Sequence, residues 1–256
     1  MMIRRPGGEL ATRPLHFIWL ADCSGSMGSD GKIQALNNAI REALPHMQRV
    51  GDENPNAQVL VRAAKFASGA HWHLGALTPV ADFKWVDLQA GGHTDMGKAL
   101  SLVAGELKMP PMTDRALPPV LVLVSDGQPT DDFGMGLKAL LDEPWGKKAV
   151  RIAIAIGEDA DHDVLQKFIG HPELKPLQAN NPEALVNCIK WVSTAVLQAA
   201  SSPASQTSQA TPPAPNGHPS ATTTGAAANL NGAAPALHVP IPALPDSKLA
   251  SASDIW

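Results

Sequence analysis

Asp22, Ser24 and Ser26 stand at alternate positions directly after an apolar run at residues 15–21. Two further loops carry the same kinds of side chain. Gly91-Gly92-His93-Thr94-Asp95 precedes a helical pattern, and Ser125-Asp126-Gly127 follows the apolar run 120–124. Carboxylates and hydroxyls are hard oxygen donors. They suit Mg²⁺, which takes six ligands and keeps several waters, and they admit Mn²⁺. In this reading Asp22 anchors the ion directly or through water, and Ser24 and Ser26 turn two hydroxyls toward it. Gly25 allows the backbone to bend between them. Thr94 adds a third hydroxyl, and Asp126 reaches the ion directly or through a water. Neutral hydroxyls leave the ion with residual positive charge, so an open position can accept a carboxylate from a partner. That is binding chemistry, not catalysis.

Each of these residues also has a plainer role. Ser and Asp after a strand often cap the next helix, and Asp126-Gly127 suits a turn. Only the ordered set of five, across three loops, favours metal over capping. Asp131 and Asp132 read as helix-capping and first-turn charges. His71 and His73, two apart, would share a face on a strand, but with no third ligand evident they read as structural. Cys23 should point away from the hydroxyl face, and Cys188 falls on a buried helical stripe.

The loops need a scaffold, and the chain supplies alternating strand and helix patterns over residues 14–200. Strands are expected at 15–21, 58–66, 120–124 and 150–156. Two short apolar stretches, 71–74 and 83–86, suit an edge strand and its approach. Helical spacing joins Ile33, Leu36, Ile40 and Leu44 until Pro45 disturbs it, and it joins Met96, Leu100, Val103 and Leu107. Further helices are expected through Leu137, after Asp161, and after an Asn181-Pro182 cap. This alternation predicts an α/β, doubly wound, mostly parallel sheet with one short edge strand and helices on both faces. Ligands of such sheets bind beyond the carboxyl ends of the strands, where strand order reverses.

The 256 residues have a formal net charge of −4, which offers no basic field for nucleic acid or anionic lipid. Two cysteines exclude a disulfide-built scaffold. No stretch has the length and apolarity of a membrane span. The segment Leu20-Ala21-Asp22-Cys23 mimics a lipoprotein signal, but His16 interrupts its apolar run and Asp22 stands where a small residue belongs, so a cytoplasmic protein is expected. Residues 1–13 form an N-terminal extension. Residues 201–256 contain Asp246, Lys248 and Asp254 as their only Asp, Glu, Lys or Arg, along with nine prolines. Such a segment is expected to be a disordered tail, with its Ser-Asp-Ile-Trp ending a candidate docking motif.

The motif set resembles the von Willebrand factor A domain with its metal-ion-dependent adhesion site. That family's pattern is D-x-S-x-S, then a Thr after a glycine-rich turn, then an Asp after a later strand, and Asp22, Ser24, Ser26, Thr94 and Asp126 match it. Within the family, Asp22-Cys23-Ser24-Gly25-Ser26-Met27, Lys32-Ile33-Gln34-Ala35-Leu36-Asn37-Asn38-Ala39 and Ser125-Asp126-Gly127-Gln128-Pro129-Thr130-Asp131-Asp132 resemble bacterial stand-alone domains of the tellurium-resistance TerY type. The resemblance implies an intracellular scaffold in a stress-response system, with a kinase or phosphatase among its partners. Three function classes follow: a metal-dependent protein-binding module, a subunit serving a separate ATPase, and a Mg²⁺-dependent phosphatase. The third lacks the second carboxylate two residues after Asp22, where Ser24 stands. The chain also lacks a G-x-x-x-x-G-K-[ST] loop, so any ATPase would be another protein. The first class, a non-enzymatic binder, is expected.

Overall fold

The computed structural model describes residues 12–201. Most of the expected N-terminal extension and the tail beyond Ser201 lie outside the described residues. Six strands form one sheet: β1 (Arg13–Asp22), β2 (Ala57–Ala67), β3 (Gly69–Pro79), β4 (Val120–Ser125), β5 (Val150–Ile156) and β6 (Leu177–Ala179). Their order is β3-β2-β1-β4-β5-β6, and every pairing is parallel except β2 with β3. Strands buried on both faces read as continuous apolar runs. That is why β4 is buried at all six residues and β1 at eight of its ten. His16 lies within this buried stretch, and burial pushes its imidazole down to about 4, so it is neutral there.

The helices are α1 (Lys32–Glu53), α2 (Met96–Ala104), α3 (Phe133–Asp142), α4 (Pro144–Lys148), α5 (His162–Ile169), α6 (Pro182–Trp191) and α7 (Leu197–Ser201). A π-helical turn, Val192–Val196, joins the last two. α1 packs on α6, and α2 on α3. Asp161 caps α5 through the Val164 N–H, and Asn181 caps α6 through the Ala184 N–H, with Pro182 at the first position.

Three elements differ from expectation. α1 runs through Pro45 to Glu53. A proline in a helix interior costs about 3 kcal/mol. Pro45 is exposed, and continuing the helix buries Met47 and Val50 on the stripe already holding Ile40 and Leu44. The edge strand is not short: β3 extends over eleven residues, with a register irregularity opposite Ala63 and Ala64. Residues 83–86 are not a strand. Their apolar side chains Phe83 and Trp85 are instead buried from a loop, which Trp85 fastens to α1.

Asn37 makes that fastening. It is buried on α1, and its Oδ1 accepts from Trp85 Nε1 at 2.9 Å and from the Leu88 N–H at 2.8 Å. Its Nδ2 donates to the Leu88 carbonyl at 3.0 Å. Asn37→Ala strands three buried polar groups at once. It is expected to destabilise the fold by about 3 kcal/mol in urea melts and to expose residues 80–91 to proteolysis. Unchanged melting and cleavage would show that the tether is dispensable.

Candidate metal centre

Strand order reverses between β1 and β4, because the chain leaves β1 toward β2 and later returns on its other side. The crevice beyond their carboxyl ends receives all three predicted loops. Asp22 ends β1 and is fully buried. Its Oδ1 accepts the Ser24 N–H at 2.7 Å, and its Oδ2 accepts the Ser125 hydroxyl. The hydroxyls of Ser24 and Ser26 lie 3.0 Å apart, Ser24 buried and Ser26 at the exposed rim.

The loops are tied to one another in pairs. The Gly25 N–H donates to the Gly92 carbonyl at 3.0 Å, and the Gly91 N–H to the Cys23 carbonyl at 2.8 Å. Gly92 has φ +93°, and a side chain there would press on Ser68, so only glycine brings this turn so close. Thr94 and Thr130 exchange two hydrogen bonds. The Thr94 N–H donates to Thr130 Oγ1 at 3.0 Å, and the Thr130 N–H donates to the Thr94 carbonyl at 2.9 Å. Thr94 and Asp126 are both buried.

Electrostatics distinguish this cluster from a set of helix caps. Burial pushes the Asp22 carboxyl up to about 6; hydrogen bonds from Ser125 and Ser24 oppose the shift, and the neighbouring Asp126 adds to it. Among the described residues no Lys or Arg pairs with Asp22 or Asp126. Asp22 and Asp126 therefore neighbour one another with no Lys or Arg paired to either, while the Ser24 and Ser26 hydroxyls lie on the same loop as Asp22 and Thr94 on the loop tied to it. Carboxylates and hydroxyls of this kind are a donor set that fits a hard divalent ion. No three His, Cys, Asp or Glu side chains cluster as metal ligands among the described residues, so any such site draws on other oxygen donors, hydroxyls among them.

The model of the von Willebrand factor type A domain matches residues 18–187. The chain belongs to this family. Solved structures with the same fold include a von Willebrand factor type A protein from Catenulispora acidiphila, at 17% identity and TM-score 0.55, covering 73% of this chain and 43% of that one. Proximal thread matrix protein 1 from the mussel byssus, in a structure with a zinc-occupied adhesion motif, aligns at 18% identity and TM-score 0.55, covering 71% and 48%. The pilus adhesin SpaC from Lactobacillus rhamnosus GG aligns at 14% identity and TM-score 0.59, covering 74% and 31%. The chain thus spans less than half of each of these solved chains. A search of curated proteins found no match.

Several residues that organise this A domain's site escaped the sequence reading. Ser125 orients Asp22 from the adjacent strand. Asp131 does cap a helix, but not the one it precedes. Its two oxygens accept the Gly97 and Lys98 N–H groups at 2.8 Å each, at the start of α2, while Asp132 caps α3 through Met135. Asp95 accepts from the Gly69 N–H and from Lys98 Nζ, fixing the second loop to the β2–β3 turn. Asp131→Ala removes one of the ties between the third loop and the second, leaving the Thr94–Thr130 pair. For a site that holds a divalent cation it should weaken binding about tenfold, as loss of a ligand-orienting partner typically does. Calorimetric titration of the variant checks this, and an unchanged Kd would make Asp131 a purely local cap.

The remaining candidates fall outside the cluster. Cys23 is buried, and burial pushes its thiol up to about 12, which leaves it inert as a nucleophile. Cys188 is buried on the α6 stripe as expected. His71 and His73 do not act as a pair. The register irregularity skips His73, whose Nε2 lies 2.7 Å from the Val86 carbonyl and whose ring packs edge-on against Trp85 at 5.3 Å. No described helix is long and apolar enough to cross a membrane.

Proposed function

We propose that this A domain is a non-enzymatic protein-binding scaffold in which Asp22, Ser24, Ser26, Thr94 and Asp126 hold Mg²⁺, with Mn²⁺ an acceptable substitute. The bound ion would supply a Lewis-acidic position for an Asp or Glu of a partner protein. The supporting observation is that the three loops bearing these two carboxylates and three hydroxyls interlock at one edge of the sheet, with Asp126 neighbouring Asp22 and no Lys or Arg paired to either. Ser24 stands where a phosphatase of the aspartyl-phosphate kind would place its second carboxylate, which favours binding over phosphoryl transfer. Zinc in the adhesion motif of the mussel byssus protein and the adhesin role of SpaC accord with a cation-dependent binder.

The words around the site support a narrower reading. Their resemblance to TerY-type domains favours a role in the bacterial cytoplasm, in a stress-response assembly with a Ser/Thr kinase or phosphatase. The test is a quantitative pull-down from host lysate, using the full chain in Mg²⁺ or EDTA, with mass spectrometry. A kinase or phosphatase enriched only in Mg²⁺, and lost with Asp22→Ala, is expected. A separate ATPase in that position would replace the narrower reading. Partners indifferent to chelation would overturn the metal-dependent mechanism itself.

A further inference from the structure

Beside the metal centre lies a cavity of about 330 Å³ that the five candidate ligands do not line. Its walls are the ends of β1 and β2, the β2–β3 turn, and the segment entering the glycine loop, with Cys23, Lys65, Ser68, His71, Gln89 and Gly91 among the lining residues. Cys23, which lines the cavity, directly follows Asp22 at the end of β1, and its N–H donates to the Phe66 carbonyl of β2. The cavity therefore adjoins the crevice across the backbone of the first loop, where the Gly91 N–H meets the Cys23 carbonyl.

Its charge is one-sided. No Asp or Glu lines it. Lys65 and His71 sit directly opposite one another across the antiparallel β2–β3 pair, both exposed. Neither takes part in any of the described ion pairs. The nearby Asp95 is already engaged by Lys98 and the Gly69 N–H. Gln89 and Ser68 add polar groups to the wall, so an anionic side chain entering here finds a cation and neutral donors without a competing carboxylate.

We propose that this cavity receives a second acidic side chain of the same partner segment whose first carboxylate engages the metal, making the domain a reader of closely spaced acidic pairs. The proposal rests on the metal centre being a carboxylate-binding site. Lys65 supplies the charge, and His71, Ser68 and Gln89 shape the pocket. An extended segment advances about 3.3 Å per residue, so the acid spacing that binds best reports how far the cavity lies from the metal across the first loop.

The full chain is titrated, by amide NMR shifts, with acetylated glycine peptides bearing one Asp or two Asp separated by zero to three glycines, in MgCl₂ or EDTA. In MgCl₂ one two-Asp spacing should bind about tenfold tighter than the single-Asp peptide, the expected gain from one charge-assisted contact. Lys65→Ala should remove that gain and leave single-Asp binding intact. Lys65→Glu should instead prefer a peptide with Lys in place of the second Asp, a reversal that damaged folding would not produce. Mg²⁺-dependent binding of the single-Asp peptide with no gain from a second acid, or a gain that survives Lys65→Ala, overturns the paired reading and leaves the metal site standing. Absence of any Mg²⁺-dependent shift overturns the metal site, and the paired reading with it.

Discussion

Asp22→Ala is expected to abolish the thermal stabilisation that Mg²⁺ or Mn²⁺ confers on the full chain, while its circular dichroism remains that of a folded protein. A cation at a hundredfold excess over its Kd stabilises the native state by about 2.7 kcal/mol, and the variant should show none of this. Loss of the folded spectrum would make Asp22 structural rather than metal-binding. Asp22→Asn adds a pH signature. The folded chain holds the Asp22 proton up to about pH 6, whereas the ordinary value is 3.8. Without a cation, the stability contributed by this proton is whole below pH 3.8 and is lost as pH rises through 6, a change of roughly 3 kcal/mol. In EDTA, Asp22→Asn should therefore be more stable than the parent at pH 7.5, and this advantage should fade toward pH 4. Adding Mg²⁺ at neutral pH should reverse the ranking. A difference between the two proteins that does not change with pH would mean that the buried carboxylate carries no such cost.

The second large effect lies where α2 meets α3. A methyl group on Gly136 would overlap the Gly97 carbonyl and Cα, and one on Gly97 would overlap the Asp132 carbonyl. These are backbone atoms, so the clash cannot be relieved by a rotamer change; the helices must separate. Gly136→Ala should cost about 3 kcal/mol or more, lowering Tm by about 6–12 °C in a domain of this size. Gly134, two residues earlier on the same helix, is exposed, and a methyl group there meets nothing closer than 3.5 Å. Gly134→Ala should stabilise α3 by up to about 1 kcal/mol through helix propensity. Opposite signs from the same substitution on one helix test the close crossing directly; equal effects would refute it.

How much of this was legible in the sequence depends on what each residue answers to. β1 and β4 were readable because burial on both faces writes an unbroken apolar run. β6 was not, because its three residues are too short to carry a period. The length of β3 was hidden by an irregular register and an edge position with little buried surface. The loops of Asp22, Ser24, Ser26, Thr94 and Asp126 could be expected to meet because these residue types follow the ends of strands in order, and the structure does tie those loops together. Ser125, Thr130 and Asp131 were not legible. Their partners lie 103, 36 and 34 residues away, and a hydrogen bond across that separation leaves no local pattern.

The position of β1 at the reversal of strand order also has a temporal side. One edge of β1 pairs with β2, which follows soon after it, but the other must wait for β4, whose Ser125 lies 103 residues beyond Asp22. At ribosomal rates of about 5–20 residues per second, that edge of a largely apolar strand stays open for roughly 5–20 s of synthesis. An unpaired apolar edge is a template for stray strand addition. The nascent chain, rather than the finished domain, is thus the form most exposed to aggregation and most in need of a chaperone.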